Sequence, residues 1–483
     1  MKKVLLLIFL CLPSRAYAQQ APWGRADIPI SSRDRVYAAD QTSNTVSVID
    51  PSANKLLGVI RLGDPVPGAL SALYKGQLLV HGLGYSPDSK TLAVVSIGSN
   101  SVTLIDTATN KVKGIVYLGR SPHEAFFTPN GRELWVTVRG EDYVTVIDPV
   151  KMREIRRIRL ANGPGMTMFG SDGRYGFVCS SFTPELTVID TASHKIIKRV
   201  PQSSPFCPNI AVSPENDEVW ITLKDVGKVQ VFSAKPPFEQ IALLDTGPIT
   251  NHVNFANNRN GKFAYLTIGG TNEVKAYRRG AKPELVATIP VGDLPHGIWP
   301  SGDGTRVYVA LENGQHAVGI DTLSNKVIAN IPIGQTTQAL VYVPGAVPSG
   351  EGTANLVPLG VAGQALHIEM LPPPGVALAN ARASVAVNSL GLIDLLQVAV
   401  AGLQPGQEYQ LFLVDSLTKG NAPRIALTKF TANPSGAAVA QAIGPLRTVV
   451  EVTDGASGKD RERRYLVLTA TGSDQVVLQQ QTR

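Results

Sequence analysis

A short strand-like segment that recurs seven times is the feature that most constrains how this chain can fold. One copy is Ser101–Asp106, and it is followed by the turn sequence Thr-Ala-Thr-Asn. Successive copies end 56, 42, 42, 43, 45 and 43 residues apart, a period typical of β-propellers, in which each repeat is one four-stranded sheet. The sequence therefore predicts an all-β protein built on a seven-bladed β-propeller. The copies end at Asp50, Asp106, Asp148, Asp190, Ser233, Arg278 and Asp321.

Each repeat divides into four β-rich runs separated by turn residues. The third run of five repeats ends in Asp, and in four of them Ser, Thr or Asn residues follow within four positions. Such a carboxylate can accept hydrogen bonds from backbone N–H groups inside a hairpin turn. A catalytic acid is not needed in five blades, so we interpret these residues as structural. They are Asp50, Asp106, Asp148, Asp190 and Asp321.

The two ends of the repeat region complement each other. The first repeat starts at residue 35 with a run that matches a second strand, so it lacks an inner strand. Residues 338–343 form an inner-strand run with no repeat after it. Pairing these two runs would close the ring and leave no sheet edge open. The sequence thus predicts six contiguous blades and one shared blade.

Changes in composition divide the chain into five segments. Residues 1–18 are predicted to be a signal peptide, because Lys2 and Lys3 precede an apolar run and a small-residue cleavage site ends at Ala18. A lead-in over 19–34, the propeller over 35–343 and a linker over 344–355 follow. Residues 356–483 contain short β runs joined by turns, which predict a small accessory β-sandwich. We expect a periplasmic or secreted protein without a transmembrane segment.

Charge gives little support for a nucleic-acid partner. The formal net charge is +7, and removal of residues 1–18 with Lys2, Lys3 and Arg15 lowers it to +4. The basic residues are scattered, and the charged run at 153–159 alternates like the exposed face of an outer strand. We therefore expect no nucleic-acid binding. The protein is also expected to be a monomer.

The mature chain has two cysteines, Cys179 and Cys207. Cys179 ends a second strand, and Cys207 lies just before the inner strand of the next blade. Both positions fall on one face of the propeller, and an exported protein meets an oxidising environment. We expect a disulfide between them.

The repeats resemble the YVTN family of β-propeller repeats from exported bacterial and archaeal proteins. The segments PHEAFFTPNGRELWVTVRGEDYVTVIDPV (122–150) and PHGIWPSGDGTRVYVALENGQHAVGIDTLSNKVIANIPIG (295–334) carry the resemblance, which covers residues 35–343. It implies seven blades, with roles ranging from cell-surface and binding proteins to relatives of quinoprotein dehydrogenases and haem d1 proteins. The resemblance therefore indicates the fold much more than the function. No Cys-Xaa-Xaa-Cys-His motif supports an intrinsic c-type haem.

Four of the seven histidines fall at the start of inner strands. Aligning the repeats places His81, His123, His252 and His296 at one equivalent position, in blades two, three, six and seven. Consecutive antiparallel strands would bring these residues to one mouth of the central channel. Two interpretations remain open. The imidazoles bind neighbouring backbone carbonyl groups, or they form a ligand or metal site.

Other polar residues are predicted at the same mouth. Glu124 adjoins His123, Arg139 follows the second strand of that blade, and Asn251 adjoins His252. An insertion over residues 64–80 is expected to project over the mouth beside His81. The candidate ligand-binding residues are thus His81, His123, Glu124, Arg139, Asn251, His252 and His296, and the four histidines are the candidate metal ligands.

The leading hypothesis is an exported binding protein that recognises a small molecule or a protein partner at the channel mouth. One alternative is a redox-associated protein or enzyme whose histidines hold a transition metal, a haem-like cofactor or a quinone. Another is a cell-surface structural protein. No Ser-His-Asp or Cys-His order is recognisable, so binding is favoured over catalysis. The sequence identifies no ligand.

Overall fold

The computed structural model describes residues 28–64, 74–360, 364–390, 393–418, 424–446 and 464–481. These residues form seven four-stranded sheets and one eight-stranded sheet. The predicted all-β fold with a seven-bladed propeller is therefore confirmed. Within the described ranges, no helix is both long and apolar enough to cross a bilayer. The predicted signal peptide lies outside the described residues.

Each blade is an antiparallel sheet numbered here by its place in the ring. Blade one consists of β1 (Arg35–Asp40), β2 (Thr45–Asp50), β3 (Lys55–Arg61) and the last propeller strand β28 (Thr337–Val343). Blade two contains β4 (Val80–Tyr85), β5 (Thr91–Ser96), β6 (Ser101–Asp106) and β7 (Val112–Tyr117). Blade three contains β8 (Pro122–Phe127), β9 (Leu134–Val138), β10 (Tyr143–Asp148) and β11 (Arg153–Arg159). Blade four contains β12 (Pro164–Phe169), β13 (Tyr175–Ser180), β14 (Glu185–Asp190) and β15 (Lys195–Pro201).

The remaining three blades repeat this order, and two of them carry a short 3-10 turn after the second strand. Blade five contains β16 (Ile210–Val212), β17 (Glu218–Leu223), the turn Lys224–Val226, β18 (Lys228–Ser233) and β19 (Gln240–Asp245). Blade six contains β20 (Thr250–Asn258), β21 (Gly261–Ile268), the turn Gly269–Thr271, β22 (Glu273–Arg278) and β23 (Glu284–Pro290). Blade seven contains β24 (Pro295–Pro300), β25 (Arg306–Leu311), β26 (His316–Asp321) and β27 (Lys326–Pro332).

Ring closure by the last propeller strand is confirmed. Strand β28 pairs antiparallel with β1, and Tyr37 lies opposite Val341. The buried carboxyl group of Asp40 strengthens this junction, because it accepts hydrogen bonds from Thr337 of β28 and from Thr45 and Ser47 of β2. Every blade therefore has two neighbours, and the propeller leaves no inner edge open.

The recurrent Asp residues are turn residues, as predicted. Each carboxylate accepts a backbone N–H bond from two or three residues ahead, for example from Thr109 to Asp106 at 2.9 Å and from Ser324 to Asp321 at 2.7 Å. The residue four positions after the Asp has a positive φ, as in Asn54 (50°) and Asn110 (58°). Asn tolerates this left-handed conformation better than most residues, which explains why it recurs there. These turns connect the third and fourth strands of their blades.

Cys179 and Cys207 are paired as a disulfide with their Cα atoms 6.0 Å apart. The bridge joins β13 of blade four to the segment that enters blade five. Both residues are fully buried.

Residues 344–360 lie along the propeller. Val347 is buried and its N–H donates to the Arg33 carbonyl at 3.0 Å. Val357 then forms a bridge with Val59 on the outer strand of blade one. The segment predicted as a linker thus packs against the first blade before the chain enters its second domain.

The second domain is one continuous antiparallel sheet whose two end strands contact each other, so that it forms a nearly closed barrel. Alternate residues such as Val398, Val400, Leu411 and Leu468 fill its core. The strand order is β33-β32-β35-β36-β29-β30-β31-β34. Its strands are β29 (Ala365–Leu371), β30 (Arg382–Ser389), β31 (Asp394–Ala401), β32 (Glu408–Val414), β33 (Arg424–Thr431), β34 (Ala438–Gly444), β35 (Tyr465–Ala470) and β36 (Val476–Gln480).

This domain docks on the propeller face that carries the loops after the second strands. Ala399, Ala401 and Ala437 pack against Ile249 of blade six and Leu294 of blade seven. Hydrogen bonds extend the contact to the entry of blade one, where Gln335 donates to the Gln364 carbonyl, and to blade five, where Asp225 accepts from Ser435. The described part of the second domain therefore covers the mouth over blades five, six, seven and one.

Candidate functional site

The four histidines form two ring pairs at the covered face. The ring centroids of His81 and His123 are 4.6 Å apart, and those of His252 and His296 are 4.5 Å apart. Each side chain is nearly buried, with 5 to 7 % of its residue surface exposed. The first pair lies on blades two and three, and the second pair lies on blades six and seven beneath the second domain.

Strand pairing shows that one histidine is offset by a residue. Thr250 pairs with the last residue of its neighbouring strand, as Pro122 and Pro295 do in their blades. Asn251 therefore occupies the position of His123 and His296. His252 occupies the position of Glu124, and the backbone N–H of each donates to the hydroxyl of the equivalent Thr. The predicted equivalence of all four histidines was wrong at His252.

Three imidazoles are held by hydrogen bonds at Nδ1. In His123 this atom lies 2.8 Å from the Gly165 carbonyl, and in His296 it lies 2.6 Å from the Gln338 carbonyl. In His81 it lies 2.7 Å from the side-chain oxygen of Gln41. Each acceptor requires a proton on Nδ1, so the neutral ring keeps a lone pair on Nε2.

The histidines are neutral at ordinary pH. Burial lowers the pKa of His81 to about 3, with smaller contributions from the charges of Arg139, His252 and Lys224. Burial likewise lowers the pKa of His123, His252 and His296 well below the ordinary value. The charge of His252 contributes to the lowered pKa of both His81 and His123. Neutral imidazole is the form that binds metals and accepts hydrogen bonds.

Glu124 is buried beside the first pair. Burial raises the pKa of its carboxyl group to about 8, although a hydrogen bond from the Leu83 backbone opposes the shift. Gly82 allows this close approach between blades two and three, because a Cβ there would lie 2.2 Å from the His123 carbonyl oxygen. His81, His123 and Glu124 each offer one atom that could bind a metal, and these three atoms lie within 4.8 Å of one another.

Two cationic side chains lie on the same face of the propeller, each directly after the second strand of its blade. Lys224 begins the 3-10 turn of blade five and is half-buried, and burial lowers its pKa. Arg139 is also half-buried, and its guanidinium group rests 5.8 Å from the Phe182 ring centroid and 5.3 Å from that of Phe206. Among the described residues, no carboxylate forms an ion pair with Arg139. The mouth therefore carries positive charge beside neutral imidazoles.

The second domain reaches the site through Glu312 of blade seven. Gln397 of β31 donates to Glu312 Oε1 at 2.7 Å. The other carboxylate oxygen has no hydrogen-bond partner among the described residues and lies 3.9 Å from His296 Nε2. The second domain thus contacts the second histidine pair through one intervening side chain, that of Glu312.

The structure places the other predicted site residues as follows. Asn251 is buried; its amide nitrogen donates to the Pro295 carbonyl at 2.7 Å, and its side-chain oxygen has no hydrogen-bond partner among the described residues. The insertion over 64–80 falls partly outside the described residues. Its described C-terminal end is fixed to blades one and two, since Gln77 accepts from Ser99 and the Leu79 N–H donates to Asn44.

Sequence reasoning missed Lys224, Glu312 and Gln397. Lys224 lies at the same turn of its blade as Arg139 of blade three, and that register was available from the repeats. Gln397 belongs to a β run of the second domain, and no local pattern indicates that its side chain faces a propeller.

Comparisons with known proteins support the fold. No protein-family model and no curated protein matches the chain. A functionally unknown protein from Desulfotomaculum acetoxidans is 11% identical, with a TM-score of 0.54 over 63% of this chain and 98% of that chain. The periplasmic gluconolactonase PpgL of Pseudomonas aeruginosa is 17% identical, with a TM-score of 0.51 over 64% and 99%. Kuenenia stuttgartiensis hydrazine synthase is 20% identical, with a TM-score of 0.49 over 57% and 94%. At these identities, the likeness to the first two of these structures shows the propeller fold alone.

Proposed function

We propose that the protein is an exported binding protein that holds a small ligand at the propeller mouth, between the two histidine pairs. The observation that carries the proposal is the position of His81, His123, His252 and His296 at the starts of their inner strands, on the face that the second domain partly covers. Cofactor-handling proteins use such enclosed sites, in which a few polar groups orient the ligand. YVTN-type repeats over 35–343 and a periplasmic or secreted location are part of this proposal.

Burial favours a small ligand over a protein partner. The histidine side chains expose too little surface for a macromolecular interface, which normally buries about 800 Å² on each partner. Neutral imidazoles can accept hydrogen bonds or bind metals, while Lys224 and Arg139 favour ligands that carry negative charge. A small anion, an acidic cofactor or a metal complex fits this combination.

The test compares the wild-type chain with a His123→Ala/His252→Ala double variant. Thermal unfolding is measured with haem, short-chain quinones and small carboxylic acids in the presence of a chelator, and separately with divalent metals. We expect at least one probe to raise the melting temperature of the wild type and to lose most of this effect in the double variant. His194→Ala is the matched control, because His194 binds Glu133 away from the mouth.

The absorption spectrum and native mass of protein purified from its own exported compartment complete the test. A bound chromophore or extra mass that the double variant lacks would support the proposal. Equal stabilisation of both proteins by every active probe would return the histidines to a structural role.

A further inference from the structure

We infer that His81, His123 and Glu124 form a binding site for one divalent transition-metal ion, with zinc as the best-fitting ion. This inference rests on the proposed function and names the ligand of the first histidine pair. Within the described part of the chain, this is the one group of at least three His, Cys, Asp or Glu residues whose donor atoms lie within 4.8 Å of one another. All three residues are buried.

The two imidazoles are already arranged as metal ligands. The Gly165 carbonyl holds Nδ1–H of His123, and Gln41 holds Nδ1–H of His81. A histidine that binds a metal commonly donates its other ring N–H to a carbonyl group or a side chain, which fixes the tautomer and the ring orientation. The Nε2 atoms are therefore the donors, and no proton has to leave them before a metal binds.

The donor set indicates the class of metal. Two imidazoles and one carboxylate suit zinc and other first-row divalent ions better than magnesium or calcium, which prefer oxygen ligands. Donors on a tetrahedral zinc ion at 2.0–2.1 Å lie about 3.4 Å from each other. The three donor atoms lie within 4.8 Å of one another, so they would have to approach by at most about 1.4 Å to bind one ion. Three protein ligands leave at least one coordination position open.

Arg139 indicates what fills the open position. It directly follows Val138, which pairs with Pro122, the residue before His123, and it has no carboxylate partner among the described residues. A cation beside a bound metal is stabilised when an anion lies between them. We therefore assign the open position to a small anion such as a carboxylate, which Arg139 can bind through two parallel N–H groups.

The second histidine pair is less suited to a metal. His252 makes no side-chain hydrogen bond to a described residue, so its tautomer is not fixed. Glu312, the carboxylate next to that pair, receives a hydrogen bond from Gln397, and one of its oxygens lies 3.9 Å from His296 Nε2.

The experiment titrates chelator-treated full-length protein with zinc by calorimetry and with cobalt(II) by visible absorption. We expect about one ion per chain and cobalt bands typical of four or five ligands. His123→Ala and Glu124→Gln should abolish the bands, and Gln41→Ala should weaken binding about 10- to 100-fold by releasing the His81 ring. His194→Ala controls for loss of a histidine elsewhere.

Acetate tests the open position. It should shift the cobalt bands of the wild type, and Arg139→Gln should require about tenfold more acetate for the same shift, corresponding to 1.4 kcal/mol. An equal response of both proteins to acetate would overturn the role assigned to Arg139.

Other outcomes would refute the proposed metal site itself. Loss of zinc binding in His252→Ala would place the ion between the two pairs. Absence of zinc and cobalt binding, with stabilisation by an organic probe still lost in the double variant, would refute this inference and leave the proposed function standing. Absence of both effects would refute both.

Discussion

Asp40 is a buried carboxyl group that joins the two ends of the propeller. Its oxygens accept hydrogen bonds from Thr45, Ser47 and Thr337, so one side chain connects β1, β2 and the closing strand β28. Burial raises its pKa from 3.8 to about 7, although these hydrogen bonds favour the ionised form. The junction therefore contains a group whose charge changes near neutral pH.

The stability of the fold should depend on pH through Asp40. The folded-state pKa is the higher one, so the folded chain binds more protons than the unfolded chain between about pH 4 and pH 7. The contribution to the free energy of unfolding is therefore largest below pH 4, falls as the pH rises through this window, and is constant above it. Asp40→Asn, which cannot ionise, should remove this decline.

Urea unfolding at pH 5 and pH 8 checks this prediction. The wild type should lose more stability between the two values than Asp40→Asn does, by an amount on the order of 1 to 3 kcal/mol. Glu124, whose pKa is also raised, contributes to both proteins and cancels in the difference. Equal pH dependence of the two proteins would show that Asp40 keeps its ordinary pKa in the fold.

Strand β28 is the element on which the ring depends. Its residues Leu340, Val341, Tyr342 and Val343 are buried, and it pairs with β1 over six positions. Without it, β1 would become an unpaired inner edge and the neighbouring blades would lose their contact surface. Burial of these side chains contributes several kcal/mol at about 25 cal/mol per Å² of apolar area.

Two truncations test this dependence. A chain that stops after residue 336 lacks β28 and should not unfold cooperatively. A chain that stops after residue 360 keeps β28 and the segment that packs along blade one, so it should show a cooperative thermal transition. Both chains lack the second domain, so circular dichroism melting curves isolate the closing strand and the segment behind it. A cooperative transition in the shorter chain would contradict the closure argument.

At the scale of the whole molecule, the second domain forms one side of the candidate site. Its strand β31 presents alternate residues to two environments. Val398 and Val400 enter the core of the domain, while Gln397, Ala399 and Ala401 face the propeller. The apolar contact is small, so only a few side chains, Ala399 among them, attach the second domain to the propeller.

A charged residue at this contact should detach the domain without unfolding it. Ala399→Glu would bury a carboxylate against Ile249 and Leu294, which costs several kcal/mol when the charge has no partner. We expect a larger radius of gyration by small-angle X-ray scattering. Ile443→Glu is the matched control, because Ile443 is 67% exposed in the adjacent strand. Equal behaviour of the two variants would show that other contacts hold the domain.

The repeated strand by itself determined the seven blades, the turn role of the recurrent Asp residues and the strand that closes the ring. These features follow from local alternation, turn chemistry and a fixed period, all of which are written in consecutive residues. The same reasoning brought the four histidines to one mouth. It also placed Glu124 and Arg139 near them, because positions in a repeat map directly onto positions in a ring.

Only the tertiary structure decided how these side chains meet. Strand pairing places His252 one residue further along its inner strand than the other three histidines, because Thr250 and not Asn251 pairs with the last residue of the second strand. The convergence of His81, His123 and Glu124 depends on the distance between two neighbouring blades, which Gly82 permits. The approach of Gln397 to Glu312 depends on how two domains dock, and docking is set by matching surfaces from residues far apart in the chain.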